Sequence, residues 1–138
     1  MSETKDHTFG KEEHLYGKTA VSTLLEKGKW GVYGPLKYCY LIPGGAEGAN
    51  RIMVAAPKKF FKRAVKRNLL KRLLRESYRL NKDILEIPGM GCDLFFFYNT
   101  KEILSFEQIS AAVIEVLMAV RTKMLKASET VASEPDKA

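Results

Sequence analysis

The sequence predicts an α+β fold: a single two-layer domain in which a sheet of about four strands is covered by helices. Three observations carry that expectation. Leu36, Tyr38, Tyr40 and Ile42 alternate with Lys37, Cys39 and Leu41, the period-2 pattern of a strand. A second strand pattern, a long helical pattern and a third apolar run then follow, which is the order of a β-α-β unit. Beyond them Phe106, Ile109, Val113, Val116, Leu117 and Val120 recur at helical spacing, so a last helix has an apolar stripe to bury.

Each element has its local reason. Residues 1–8 are polar and read as a mobile lead-in, residues 9–126 as the domain, and residues 127–138 as a disordered polar tail. Between Lys18 and Lys27, Val21, Leu24 and Leu25 stand at i, i+3 and i+4 ahead of Gly28, a short helix with a glycine stop. Gly28 to Pro35 carries three glycines and a proline around Trp30 and Tyr33, and reads as turn-rich or briefly extended. The strand over Leu36–Ile42 stops at Pro43-Gly44-Gly45, and a loop to Asn50 leads into a strand over Arg51–Ala56, closed by Pro57. Ile87 to Gly91 punctuates the chain before Cys92–Asn99, which is apolar on both faces in its middle and should be an interior strand. Ser105 with Gln108 three residues on forms a capping-box pattern for the last helix.

Charge is concentrated in one window. Lys58 to Arg79 holds ten Lys or Arg against one acid, Glu76, a net +9 in a chain whose total is +7, so the remainder sums to −2. Such a block reads as a surface for a polyanion. On a helix turning about 100° per residue, Asn68, Lys71, Arg72, Arg75 and Arg79 fall within a sector of about 100°. Val65, Leu69, Leu70, Leu73, Leu74 and Leu80 form an apolar stripe on the other side, which should anchor the helix and aim the charges outward. Solvated faces mix signs to gain i,i+4 pairs, and this one scarcely does. Membrane or calmodulin-type binding would need the apolar face free.

Composition narrows the rest. At 138 residues and 46% hydrophobic content the chain suits one domain with a real core. It has no apolar run of membrane length and no secretory signal, so a cytoplasmic location is expected. Cys39 and Cys92 lack C-x-x-C spacing and should be buried, reduced thiols with no metal role. No catalytic constellation is visible. His7 and His14 lie in the polar lead-in, and Asp93, Glu76, Glu102 and Glu107 form no pair suited to holding cations. Neither a P-loop nor a dinucleotide glycine pattern occurs. The expectation is a protein that binds and does not itself cut, with no catalytic and no metal residues, and with Tyr38 or Tyr40 offered to an unstacked base.

Arg63-Ala64-Val65-Lys66-Arg67-Asn68-Leu69-Leu70-Lys71-Arg72-Leu73-Leu74-Arg75-Glu76 resembles the signature helix of the bacterial ribonuclease P protein component. Thr8-Phe9-x-Lys11-Glu12-Glu13, the strand ending Tyr40-Leu41 and Val54-x-x-Pro57-Lys58-Lys59 fall in that family's order, so the resemblance spans roughly Phe9 to Lys126. Two positions depart from it. The signature Arg-Asn-Arg reads Arg67-Asn68-Leu69 here, and the first helix carries Val21 and Leu25 where aromatics are common.

The resemblance implies the protein subunit of a ribonucleoprotein endonuclease that removes the 5′ leader from precursor tRNA. Catalysis would belong to the RNA subunit and its magnesium, with no cofactor held by the protein. It also implies a left-handed β-α-β crossover where the general rule is right-handed. Asn68, Lys71, Arg72, Arg75 and Arg79 would touch RNA, with Lys66 and Arg67 at the rim and Lys58 and Lys59 leading in. Val21, Leu25, Tyr38 and Tyr40 are the candidates for a cleft that takes the leader. The competing readings are a ribosomal or RNA-chaperone protein, a protein-only nuclease and a DNA-binding protein.

Overall fold

The computed structural model describes residue 15, residues 17–42 and residues 49–133. His7, His14, the Thr8 to Glu13 segment and most of the Pro43 to Asn50 loop lie outside the described residues. The element order is α1 (Lys18–Lys27), β1 (Lys29–Tyr33), β2 (Leu36–Leu41), β3 (Arg51–Ala55), α2 (Ala64–Asn81), a 3-10 turn (Lys82–Leu85), β4 (Asp93–Tyr98) and α3 (Phe106–Ser133). This is the α+β architecture expected from the sequence, with the basic helix as the connection between two strands.

The sheet runs β1-β2-β4-β3. β1 pairs with β2 and β2 with β4 antiparallel, while β3 joins β4 in parallel. A parallel pair needs a long crossover, and α2 supplies it. The glycine-rich segment before Pro35 is therefore an edge strand. Gly31 is tolerated there because the Tyr38 ring of β2 lies across it: a Cβ on Gly31 would sit 2.6 Å from the Tyr38 phenol oxygen.

Alternation assigns each strand residue to a face. On one face Leu36, Ile52, Leu94, Phe96 and Tyr98 pack under α2 and α3 through Leu70, Leu74, Tyr78, Ile109, Val113, Val116, Leu117, Val120 and Met124. On the other, Cys39 and Phe95 form a smaller core with Leu15 and with Leu24 of α1. α1 is held close: the Cys39 thiol donates to the Leu24 carbonyl at 3.4 Å. A Cβ on Gly28 would come within 2.6 Å of the Cys39 sulfur, so glycine is needed at this approach.

The cap of α3 forms as its sequence pattern indicates. Gln108 N–H donates to Ser105 Oγ at 3.2 Å, and Ser105 N–H donates to Gln108 Oε1 at 3.0 Å. The helix then runs to Ser133, past Ala127, where composition alone would begin a disordered tail. The 3-10 turn after α2 has no counterpart in the sequence expectations. Cys39 and Cys92 are buried, free thiols.

The apolar stripe of α2 is narrower than its sequence suggests. Leu70, Leu74, Ser77 and Tyr78 are the buried positions. Val65, Leu69 and Leu80 are exposed, Val65 to 76%, and Leu73 is only partly covered. The apolar positions of this helix span about half its circumference, and packing against α3 and β3 consumes one side of that arc.

Candidate nucleic-acid interface

α2 starts at Ala64, so Lys58 and Lys59 lie in a turn ahead of it. Phe60 and Phe61 N–H both donate to the Pro57 carbonyl, which tightens that turn. Phe61 is buried and rests 5.7 Å from the Tyr98 ring, so the turn is tied to the sheet. Lys58 and Lys59 remain exposed, with the Lys59 ammonium 5.1 Å from the Phe60 ring. The N-cap residue of α2, Arg63, makes no side-chain capping bond to the first turn.

The expected cationic side chains separate into groups. Asn68 and Arg72 are exposed, and Lys71, Arg75 and Arg79 are partly so. Asn68, Lys71, Arg72, Arg75 and Arg79 together occupy one flank of α2. Lys66 is exposed on the opposite flank. Arg67 turns back instead: its Nη1 donates to the Phe61 and Lys62 carbonyls at 2.9 and 2.8 Å and so fixes the entry to the helix. Arg79 pairs with Glu76 one turn earlier, and this bond, with Arg72 nearby, holds the Glu76 carboxyl below its usual range. Among the described residues no carboxylate lies within ion-pair distance of Lys66, Lys71, Arg72 or Arg75.

Leu69, at the third signature position, is 36% exposed beside exposed Val65 and does not belong to the core. The sequence pattern assigns it to the anchoring stripe. The structure puts it on the outer surface, next to the cationic flank.

The two tyrosines expected to serve a cleft between α1 and the sheet lie on the wrong face. Tyr38 and Tyr40 stack on one another at 6.3 Å and pack against the α2/α3 core. Strand parity explains it: both share the face of Leu36, which is fully buried there. On α1, Val21 is partly buried and Leu25 exposed, displaced by about 60° and 100° around the helix from the buried Leu24.

The aromatics on the α1 face are ones that sequence reasoning passed over. The register places Trp30 of β1 opposite Cys39 of β2, Cys39 opposite Phe95 of β4, and Phe95 beside Met53 of β3. The next row is Val32, Lys37, Phe97 and Ala55. Phe95 and Phe97 meet at 6.0 Å, and the Lys37 ammonium lies 5.0 Å from the Trp30 ring. Trp30 is 47% exposed, Phe97 is partly exposed, and α1 covers only part of this surface. β3 ends beside Phe97 and runs directly into Pro57, Lys58 and Lys59, so the aromatic rows and the basic turn adjoin.

At one end of this face Arg51 Nε and Nη2 donate to the Asp93 carboxylate at 3.0 and 2.9 Å. Asp93 is thus bound in a structural pair. Among the described residues no group of three or more His, Cys, Asp or Glu is placed to hold a metal ion. Nor is any helix there long and apolar enough to cross a membrane. Burial raises the Cys39 thiol pKa, and burial beside Asp93 raises that of Cys92 to about 12.

The ribonuclease P family model matches residues 9–121. The ribonuclease P protein component of Porphyromonas gingivalis is 35% identical over 124 residues, covering 85% of this chain and 90% of that protein. The component from Chlorobaculum tepidum is 40% identical over 89 residues, covering 62% and 58%. Among solved structures, the ribonuclease P protein of Thermotoga maritima superposes with a TM-score of 0.64 at 23% identity, covering 78% of this chain and 96% of that one. That of Staphylococcus aureus gives 0.62 at 18%, covering 78% and 94%. These two likenesses establish the shared fold; it is the family model and the Porphyromonas gingivalis relative that disfavour a ribosomal or chaperone-type protein. With the family model spanning most of its length and a relative at 35% identity, the chain belongs to the ribonuclease P protein component family, a component of the endoribonuclease of tRNA 5′ processing.

Proposed function

We propose that the chain binds the ribonuclease P RNA subunit through the cationic flank of α2 and holds the single-stranded 5′ leader of precursor tRNA on the α1 face of the sheet. The observation that carries the second half is the row Trp30, Cys39, Phe95 and Met53, with Phe97 in the next row and Lys37 against Trp30. An unstacked base finds a π-surface on an exposed ring whatever its identity, and nearby ammonium groups meet the backbone phosphates. A leader is single-stranded and variable in sequence, which suits this kind of readout.

The RNA contacts of α2 fall to Asn68, Lys71, Arg72 and Arg75, with Arg79 shared with Glu76. Lys58, Lys59 and Lys66 extend the positive surface around the start of the helix. Neutralising phosphates there releases condensed counterions and lowers the repulsion between two RNAs held on one small protein. Bond cleavage and its magnesium are assigned to the RNA subunit, as in the family the chain resembles. Arg67 supports the interface by fixing the helix entry.

The test is reconstitution. Full-length protein is added to a bacterial ribonuclease P RNA and labelled precursor tRNA at low magnesium, and 5′ cleavage is followed. Stimulation is expected, with tighter binding of precursor than of mature tRNA. RNA binding without stimulation would refute the reading.

A further inference from the structure

A cavity of about 370 Å3 opens where the end of α1, the start of β1, the end of β2 and the stretch of α3 from Lys123 to Ala127 meet. Four lysines line it, Lys27, Lys29, Lys123 and Lys126, around Tyr40. All four are exposed. No carboxylate is among the described residues that line the cavity; Glu26 stands next to Lys27 in sequence but is not part of the wall. Four like charges from three elements thus converge with no acid between them, an arrangement that repels itself unless an anion occupies it.

The convergence is built into the fold. Lys29 and Tyr40 are direct partners in the β1–β2 register. Lys123 and Lys126 share one side of α3, and the buried Met124 fixes that turn against the core. Tyr40 is held by stacking on Tyr38, which makes it a firm wall with the lysines around it.

This site is remote from the basic helix. α2 packs against β3, one edge of the sheet, while the cavity adjoins β1, the other edge. Three strand spacings separate the edges, about 15 Å. We propose that the Lys27, Lys29, Lys123 and Lys126 cavity is a second phosphate site, taking phosphodiester groups of RNA that α2 does not reach. The inference rests on the RNA partnership proposed above and adds an anchoring point to it. The phosphates belong to either the RNA subunit or the precursor, and the two arms of the experiment separate these sources.

The experiment uses full-length protein carrying K27A/K29A or K123A/K126A, with K18A/K101A as a variant of equal charge loss away from the cavity. The dissociation constant is measured against salt in two arms: RNA subunit binding by the protein, and precursor tRNA binding by the assembled holoenzyme. In at least one arm, the slope of log K against log salt is expected to fall by about 0.7 to 0.9 for each phosphate that the variant no longer neutralises. Circular dichroism checks that α3 persists. Cavity variants that match K18A/K101A in both arms, while R72A/R75A still lowers the slope, would overturn this site alone. A flat response to R72A/R75A as well would overturn the RNA reading on which it rests.

Discussion

Trp30 and Phe95 meet edge to face, 6.2 Å between ring centroids and 81° between planes, although a strand runs between them in the sheet. The residue on that strand is Cys39, small enough for the two rings to close over it. Trp30 is the chain's single tryptophan, so it reports on this face without interference. Binding of a precursor with a leader should change its fluorescence, and mature tRNA should not. Trp30→Ala should weaken precursor binding by about 1–3 kcal/mol, roughly 5- to 150-fold, with mature tRNA unaffected. Trp30→Phe should recover most of the affinity. Equal effects on both RNAs would remove Trp30 from the leader surface.

Ion pairing within α2 ranks its arginines. Arg72→Ala or Arg75→Ala should lower affinity for the RNA subunit and reduce the salt slope by about 0.7 to 0.9 per phosphate released. Arg79→Ala should do less, because Glu76 already neutralises part of that charge. Glu76→Gln should raise affinity by removing the one negative charge from the basic window. Filter-binding titrations between low and moderate salt decide the order.

Restoring the signature arginine should be easy on the fold. Leu69 lies outside the core, so Leu69→Arg should change stability by no more than about 0.5 kcal/mol, as surface substitutions usually do. It should engage about one further phosphate, seen as a steeper salt slope by about 0.7 to 0.9. A large drop in the denaturation midpoint would show that Leu69 packs after all.

Tyr38 has a structural role that predicts the opposite behaviour. Its ring lies over Gly31 and against the helical core. Tyr38→Ala should cost about 2–3 kcal/mol in urea denaturation, less than the full cost of emptying a completely buried aromatic site. Tyr38→Phe should be nearly neutral. Neither should alter the ratio of precursor to mature tRNA affinity.

The thiols give a pH-dependent prediction. Because burial holds Cys92 at about 12 against an ordinary value of 9.0, the folded state keeps a proton that the unfolded state releases. This contribution to stability is complete below pH 9 and is lost as pH rises from there to about 12. At pH 8, native protein should resist thiol-reactive dyes at Cys39 and Cys92, and both should label once urea unfolds it. Labelling of native Cys92 at the rate of a free thiol would contradict the burial.

The parts of the fold that follow from local chemistry were open to sequence reasoning. The limits of α1, the alternation of β2 and the Ser105–Gln108 box are examples, since each depends on neighbours in the chain. The aromatic rows proposed to hold the leader were not legible for a different reason. Phe95, Phe96 and Phe97 make β4 apolar on both sides, and only pairing with β1 and β2 decides which rings meet Trp30. Trp30 itself was hidden by glycines that normally mark turns, and Gly31 belongs in a strand here only because Tyr38 fills the space beside it. The cationic flank of α2 was readable from spacing. Its apolar limit was not, because the apolar arc is broader than the surface that α3 and β3 can offer. Arg67 gave no signal of its inward role, since the carbonyls that it binds become available only once the turn at Pro57 has formed.

The place of β4 between β2 and β3 sets the order in which the molecule can assemble during synthesis. β1 and β2 can pair as soon as they emerge, but β3 has no neighbour in the finished sheet except a strand made after α2. Until Asp93–Tyr98 leaves the ribosome, β3 and the most positively charged helix of the chain wait without the sheet on which they dock. The nascent protein therefore presents its +9 segment to a ribosome rich in RNA before it has a scaffold to restrain it. A chain stopped before Asp93 would keep the β1–β2 hairpin and lose the partner that both of its cores share.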